Sequence, residues 1–408
     1  MSTLEESRNI FSETEMKIVH VLIGSGFFNE KYAYQDNTLP KYHRKQGHDV
    51  TIIAPVYSGF DKNTGIMQSS PEGVRYLDDG IKLIRLKPDL PYKLTEHVHL
   101  YHGMAAAVEN EAPDLIFAHA VSSLNYRFFV RYKIKHPLVK IVFDNHADWV
   151  NSCHNFLSKN YSRHILRPFL TRKLVKISDF FYGVTPARCN FLYEMFDIPK
   201  DKIHLLPLGA DDEEMHFEDK ESIREEVRNL YGIANDEFLI VTGGKIDPLK
   251  NIHVLAEAVR NSKIKKIKIL IFGSIRDDMI EVFDNLTSDR VQCIGWVPSN
   301  EVYRYFYAAD IVMFPGLHSV LWEQAVASQV PCAFSRIKGF EHIDIGGNCV
   351  LMEGKTVDYY QPLIERLYSD KAYYGKLYDC AHSDRSQQFL YSQIANKVIM
   401  DCFGKNEL

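Results

Sequence analysis

Phe238-Leu239-Ile240-Val241-Thr242-Gly243-Gly244-Lys245-Ile246-Asp247-Pro248-Leu249-Lys250-Asn251-Ile252 is the stretch that decides the fold. Its first five residues are an unbroken apolar and β-branched run, the pattern of a strand buried on both faces of a parallel sheet. Two glycines end the run, and a Pro-bearing turn follows. Ile252, Leu255 and Val259 then recur at helical spacing across Ile252–Ser262. Strand, turn and helix make one βα unit.

The same unit repeats in both directions. Upstream, strands are predicted at Ile18–Ile23, Val50–Ala54, Leu83–Leu86, Leu115–Ala118, Lys140–Phe143, Phe180–Val184 and His204–Leu206. Downstream they are predicted at Ile267–Phe272, Val291–Ile294, Ile311–Phe314 and Cys332–Ser335. The acidic segment Asp211–Glu226 separates the two series, so a domain boundary falls near Gly209–Glu213. The expected division is a polar tail 1–15, an N-terminal domain 16–210, a C-terminal domain 211–385, and a helical end 386–408 returning to the N-terminal domain. The fold class is α/β, with two Rossmann-like doubly wound domains facing across a cleft.

Composition narrows the function. The chain has 408 residues, 46% hydrophobic and 25% charged, which suits two soluble globular domains. A net charge of -5 argues against a nucleic-acid binder. Seven scattered cysteines without a CxxC pair suit free thiols in a reducing compartment. The first fifteen residues lack the apolar core of a signal peptide, and no run approaches about 18 apolar residues. A cytoplasmic protein is expected, against the inner face of the cell membrane if the basic stretch Lys159–Lys176 meets anionic lipid. That stretch includes Arg163, Arg167, Arg172 and Lys173; a solvated face of a core helix accounts for it equally well.

Ligands of doubly wound sheets bind where strands end, so chemistry is sought in the following loops. Gly24 and Gly26 end the first strand; Asn29 stands where a dinucleotide fingerprint needs its third glycine, and a tight turn is the plainer alternative. Lys245 and Lys250 flank a turn and could converge on one anion, with Asn251 as helix cap; a surface turn with incidental lysines fits the spacing equally well. Gly316, His318 and Ser319 precede a helix that Ser319 is expected to cap, with Glu323 near its first turn. There Glu323 could accept from a ribose diol or merely complement the helix dipole. Phe143-Asp144-Asn145-His146-Ala147-Asp148 packs polar groups against another strand end. His119 stands alone, and a satisfied structural histidine is its plainer reading.

Together these loops resemble the retaining glycosyltransferases of the GT-B fold, glycosyltransferase family four. Gly244–Asn251 is similar to that family's G-R-x-x-x-x-K-[GN] loop, and Glu323–Pro331 to its E-A-x-A-x-G-x-P helix. Tyr34–Asn37, Gly47–Val50, Val184–Pro186 and Leu206–Ala210 fit its N-terminal half. The resemblance implies that Lys245, Lys250, Gly24, Gly26, Gly316, His318 and Ser319 hold a donor diphosphate. It implies a ribose at Glu323 or Gln324, a nucleobase bordered by Gly295, Trp296 and Val297, and catalytic roles for His146 and Asp148 toward sugar and acceptor. It further implies transfer of a hexose-type sugar, UDP-linked by preference, to a carbohydrate or lipid-linked acceptor hydroxyl with retention, in bacterial surface polysaccharide or glycolipid assembly. No cofactor or metal is expected, since no Asp-x-Asp motif occurs and cationic side chains can take its place.

Three departures qualify the match. Lys245 stands for the family's arginine and offers a point charge in place of a planar fork. Aligning Ala325, Ala327 and Pro331 puts Gln324 in the glutamate's place. Counting back along E-x(7)-E reaches Pro315 or Gly316, so His318, Ser319 or Asp148 must supply the sugar contact. That gap motivates two alternatives: a non-catalytic GT-B subunit that binds a sugar nucleotide or a partner, and a GT-B sugar-nucleotide epimerase.

Overall fold

A computed structural model describes residues 15–61, 64–90, 99–101, 103–121, 123–149 and 171–404. The polar tail up to residue 14, Cys153, and Arg163 and Arg167 of the basic stretch lie outside the described residues. The chain divides into two compact units, one of residues 1–207 with 394–408 and one of residues 208–393. The sequence-based boundaries stand at 210/211 and 386. No helix of the described residues is long and apolar enough to cross a membrane.

The first unit contains β1 (Lys17–Val21), β2 (Asp49–Pro55), β3 (Tyr57–Phe60), β4 (Met67–Ser69), β5 (Gly73–Tyr76), β6 (Lys82–Leu86), β7 (Leu115–Ala118), β8 (Lys140–Asn145), β9 (Phe180–Gly183) and β10 (Ile203–Leu205). Eight of them form one sheet in the order β10-β9-β8-β7-β1-β2-β6-β5. β5 alone runs antiparallel to its neighbour. Strand order reverses beside β1, between β7 and β2, which opens a crevice at those strands' carboxyl ends.

The second unit contains β11 (Phe238–Gly243), β12 (Ile267–Phe272), β13 (Val291–Gly295), β14 (Ile311–Phe314), β15 (Cys332–Ser335) and β16 (Cys349–Met352). They form a parallel sheet in the order β13-β12-β11-β14-β15-β16. Alternate residues explain the continuous apolar runs. Leu239, Val241, Leu270, Phe272, Val312 and Phe314 fill a core on one face. Phe238, Ile240, Ile269, Ile271, Ile311 and Met313 fill a core on the other. The acidic segment ends in a helix, Lys220–Leu230, whose Arg224 and Arg228 pair with Asp310 at 2.7 and 3.3 Å.

Four strands escape the apolar-run criterion. β5 is exposed at every residue and sits at a sheet edge, so no core selected its side chains. β3 and β4 form a small antiparallel pair of their own, and β16 is a four-residue edge strand. The run Ile18–Ile23 also stops early, because Ile23–Ser25 turns into a 3-10 helix.

Candidate active site

In the first unit, loops after β1, β7 and β8 meet at the crevice. The Gly24 loop lies directly against the β7 end: a Cβ on Gly24 would stand 2.8 Å from the His119 carbonyl oxygen. Gly26 takes φ +83°, a conformation glycine adopts without cost. Arg85, 1% exposed, anchors the following segment through bonds to Phe28 O at 2.9 Å and Glu30 at 2.8 Å. Ala120 holds the strained φ of +74° and donates its N–H to Asp144 Oδ1 at 2.9 Å.

Asp144, fully buried, is the hub. Its Oδ2 accepts from His119 Nδ1 at 2.8 Å and from His146 Nε2 at 3.4 Å. Asp36, from the helix Gln35–Lys45, reaches the same His119 nitrogen at 3.2 Å. Burial opposes ionisation of Asp144, but His119 and His146 outweigh it and hold the carboxyl below its usual range. His146 is 41% exposed at the side chain. Asp148 is buried and pairs with Arg188 at 3.5 Å. The carboxylate beside His146 is therefore Asp144, which the sequence did not single out, while Asp148 faces Arg188. Asp144 and His119 had one legible signal: both stand at the ends of neighbouring strands. Asp36 had none.

In the second unit, the β11 loop is tied down on both sides. Ile246 N–H donates to Ser274 O at 2.9 Å, and Asp247 Oδ1 accepts from Leu249 N–H at 2.9 Å. Lys245, just before these ties, is exposed. Lys250 is half-buried and donates to Leu317 O at 2.6 Å, which joins its loop to the one after β14. Burial lowers the Lys250 pKa. Asn251 takes φ +53° and donates its amide to Pro315 O at 3.2 Å, so it does not cap the following helix; the second loop claims its side chain. Ser319 is no cap either, because the helix starts later, at Leu321–Ala327, with Val320 before it.

Gly316 is what permits this closeness. A Cβ there would stand 2.3 Å from the Lys250 Cα, a backbone atom that cannot swing aside. Gly316→Ala should therefore destabilise the second unit by about 1–3 kcal/mol, the usual cost of overpacking. A urea midpoint equal to that of the parent chain would refute the packing described.

Glu323 is wholly buried and clasped by two histidines. His318 Nε2 lies 2.9 and 3.1 Å from its two oxygens, and His342 Nε2 lies 2.9 Å from Oε1. Burial opposes its charge, but His318 and His342 outweigh it and lower its pKa to about 2. In this arrangement Glu323 offers no exposed oxygen to a ribose, and the His318 nitrogen expected at a phosphate is engaged with Glu323. Gln324 is 8% exposed and lies 3.4 Å from the Tyr303 hydroxyl. His342 comes from a 3-10 turn after β15, and nothing in the sequence linked it to Glu323. The three groups bring one ligand atom each within 4.8 Å and so could hold a divalent cation, although hydrogen bonds already account for their closeness. Trp296, 70% exposed, follows Gly295 at the β13 end, and Val297 packs onto the core.

The profile of Glycosyltransferase Family 4 matches residues 38–214, and that of Glycosyl transferases group 1 matches residues 237–370. An uncharacterized glycosyltransferase of Methanocaldococcus jannaschii is 22% identical over 231 residues, 52% of this chain and 58% of that protein. The match thus spans little more than half the length of that relative. A solved glycosyltransferase from Rickettsia africae is similar with a TM-score of 0.67 at 16% identity, over 96% of this chain and 100% of that one. Anabaena HepE, solved with UDP and glucose, gives a TM-score of 0.59 at 14% identity, over 94% and 98%. These likenesses are of fold.

Proposed function

The chain belongs to the family-four type of GT-B glycosyltransferases, and from that premise we propose that it moves a hexose-type sugar from a UDP-sugar to an acceptor hydroxyl with retention. The observation that carries this reading is the junction of Lys250 with the Gly316–Leu317 loop. A half-buried ammonium, a side-chain-free approach and an adjacent exposed Lys245 suit a diphosphate. Bond breaking leaves negative charge on the diphosphate and positive charge on the sugar. Lys245, Lys250 and backbone N–H groups of 316–319 would stabilise the former. Trp296 would border the base, and the Glu323–Gln324 turn would approach the ribose, with Glu323 acting through the histidines it holds. His146, oriented by Asp144, would face the sugar and acceptor. Same-face attack, with the departing phosphate taking the acceptor's proton, gives retention without a metal. An acceptor in surface polysaccharide or glycolipid assembly would bring Lys159–Lys176 to the inner membrane face.

A thermal-shift screen of UDP, GDP and ADP tests the donor site. A ligand at about 100 times its Kd stabilises the native state by about 2.7 kcal/mol, and UDP should give the largest shift. Failure of all three to shift the transition would refute the reading. Incubating a shifted donor with acceptors then separates the alternatives. Product that needs an acceptor indicates transfer, product from donor alone indicates an epimerase, and binding without turnover indicates a non-catalytic subunit.

A further inference from the structure

Behind Asp144 the first unit buries three more imidazoles in line. His119 Nε2 lies 3.1 Å from His20 Nδ1, His20 Nε2 lies 3.0 Å from His43 Nδ1, and His43 Nε2 lies 3.3 Å from the carbonyl oxygen of Ala395. All three rings are at most 1% exposed. They come from β1, the β7 end and the helix Gln35–Lys45, and the closing carbonyl from the helix Tyr391–Phe403. His20 also stacks on Phe117, its ring centroid 5.3 Å away.

The ends of this chain determine its charge. A carboxylate and a carbonyl only accept hydrogen bonds. From Asp144 to Ala395 there are four contacts, and each needs one N–H: Asp144–His119, His119–His20, His20–His43 and His43–Ala395. Three neutral imidazoles carry three N–H groups, one each. Satisfying the chain takes one proton more. The groups facing His119 decide where it rests: Asp144 from β8 and Asp36 from the helix carry negative charge, whereas His20 and the Tyr126 hydroxyl, which donates to the His119 carbonyl at 3.1 Å, carry none. The titratable rings beside His43 are His20, at 5.2 Å between ring centroids, and His48, at 6.5 Å, and neither brings negative charge to it.

We propose that His43, His20 and His119 form a positioning chain holding one excess proton, with His119 as a buried imidazolium between Asp36 and Asp144. It keeps Asp144 ionised and so fixes His146 with Nε2–H toward Asp144 and Nδ1 as its accepting nitrogen. The electrostatics agree: burial lowers the pKa of His20 and takes that of His43 to about 3, while Asp144 and then Asp36 overcome burial and raise that of His119. The chain cannot conduct protons outward, because the Ala395 carbonyl cannot take up a proton. It acts as a fixed charge with three locked tautomers, the second partner that sets which nitrogen of a histidine is reactive. The role toward His146 rests on the proposed function; the charge does not.

Nitrogen-15 NMR of histidine-labelled full-length protein without substrate tests the charge. Between pH 6.5 and 8.5, His119 should keep both nitrogens protonated, and His20 and His43 should each show Nε2–H alone. Three singly protonated rings at pH 7.5 would overturn the proposal, and the wild-type spectrum suffices for that. His43→Gln can accept from His20 and donate to Ala395, so His119 should stay charged. His43→Phe removes the acceptor for His20, so His119 should lose its extra proton within this range. If His43→Phe also lowers kcat by about 10–100-fold, the loss expected when an outer partner orienting a histidine is removed, with donor KM unchanged and His43→Gln near wild type, the positioning role holds. An unchanged kcat beside the expected spectra supports the charged chain and overturns the placement of His146 at the reacting groups.

Discussion

Lys250→Ala should abolish the thermal stabilisation by UDP and slow sugar transfer about 100–1000-fold, the range seen when one preorganised group facing developing charge is removed. The effect is large because the ammonium has two jobs. It is half-buried with its proton donated to Leu317 O at 2.6 Å, so it joins the β11 loop to the loop that would supply backbone N–H groups. Burial lowers its pKa despite the nearby Asp247 carboxylate, and a diphosphate would add opposite charge that favours the ammonium. Lys250→Arg should keep part of the UDP response, since the charge persists while its shape changes. Lys245→Ala should cost less, because Lys245 is exposed and its attraction is screened. A full UDP shift in Lys250→Ala would mean that the diphosphate binds elsewhere.

Glu323→Ala should destabilise the second unit by about 3–5 kcal/mol, the cost of breaking a buried charged pair by removing one partner. It leaves His318 and His342 facing a void, with Trp322 stacked on Phe334 at 4.8 Å beside them. The pH dependence has a definite sign. The carboxyl is held at about 2 in the folded chain against an ordinary 4.5. A depressed carboxyl pKa contributes stability that is complete above the unfolded value and is lost as pH falls through the folded one. Wild-type stability should thus fall between about pH 4.5 and 2 more steeply than that of Glu323→Gln, which has no charge to lose there. Urea unfolding followed by tryptophan fluorescence at pH 7, 5, 4 and 3 measures this. Parallel curves for the two proteins would refute the histidine clasp. If UDP binding survives Glu323→Gln, the glutamate acts through its histidines and not by direct contact with the ribose.

Much of the fold was legible in single stretches. Leu115–Ala118, Ile267–Phe272, Ile311–Phe314 and Cys332–Ser335 are strands with the bounds their apolar runs predict. Such strands bury both faces, so their residues are nearly all apolar, Lys268 and Ser335 being the exceptions, and periodicity is not needed to find them. β5 was illegible for the opposite reason: an edge strand exposed along its length carries no burial signal. Caps failed where a distant loop competed. The Asn251 amide had a helix end within reach but was claimed by Pro315 O, 64 residues away. A polar residue inside a buried strand was the one hint at His20, since a buried polar group is more informative than an exposed apolar one.

By itself, then, the sequence determined two parallel sheets, the strand-end loops and the family, because these depend on local runs and short spacings. Only the tertiary structure decided which charges face one another. It gave His146 the partner Asp144, and it closed Glu323 between His318 and His342. It also lined up His43, His20 and His119, where His20 and His119 are 99 residues apart in the chain. The physical reason is that a proton's position depends on distances of about 3 Å between groups brought together by folding, and no spacing along the chain encodes those.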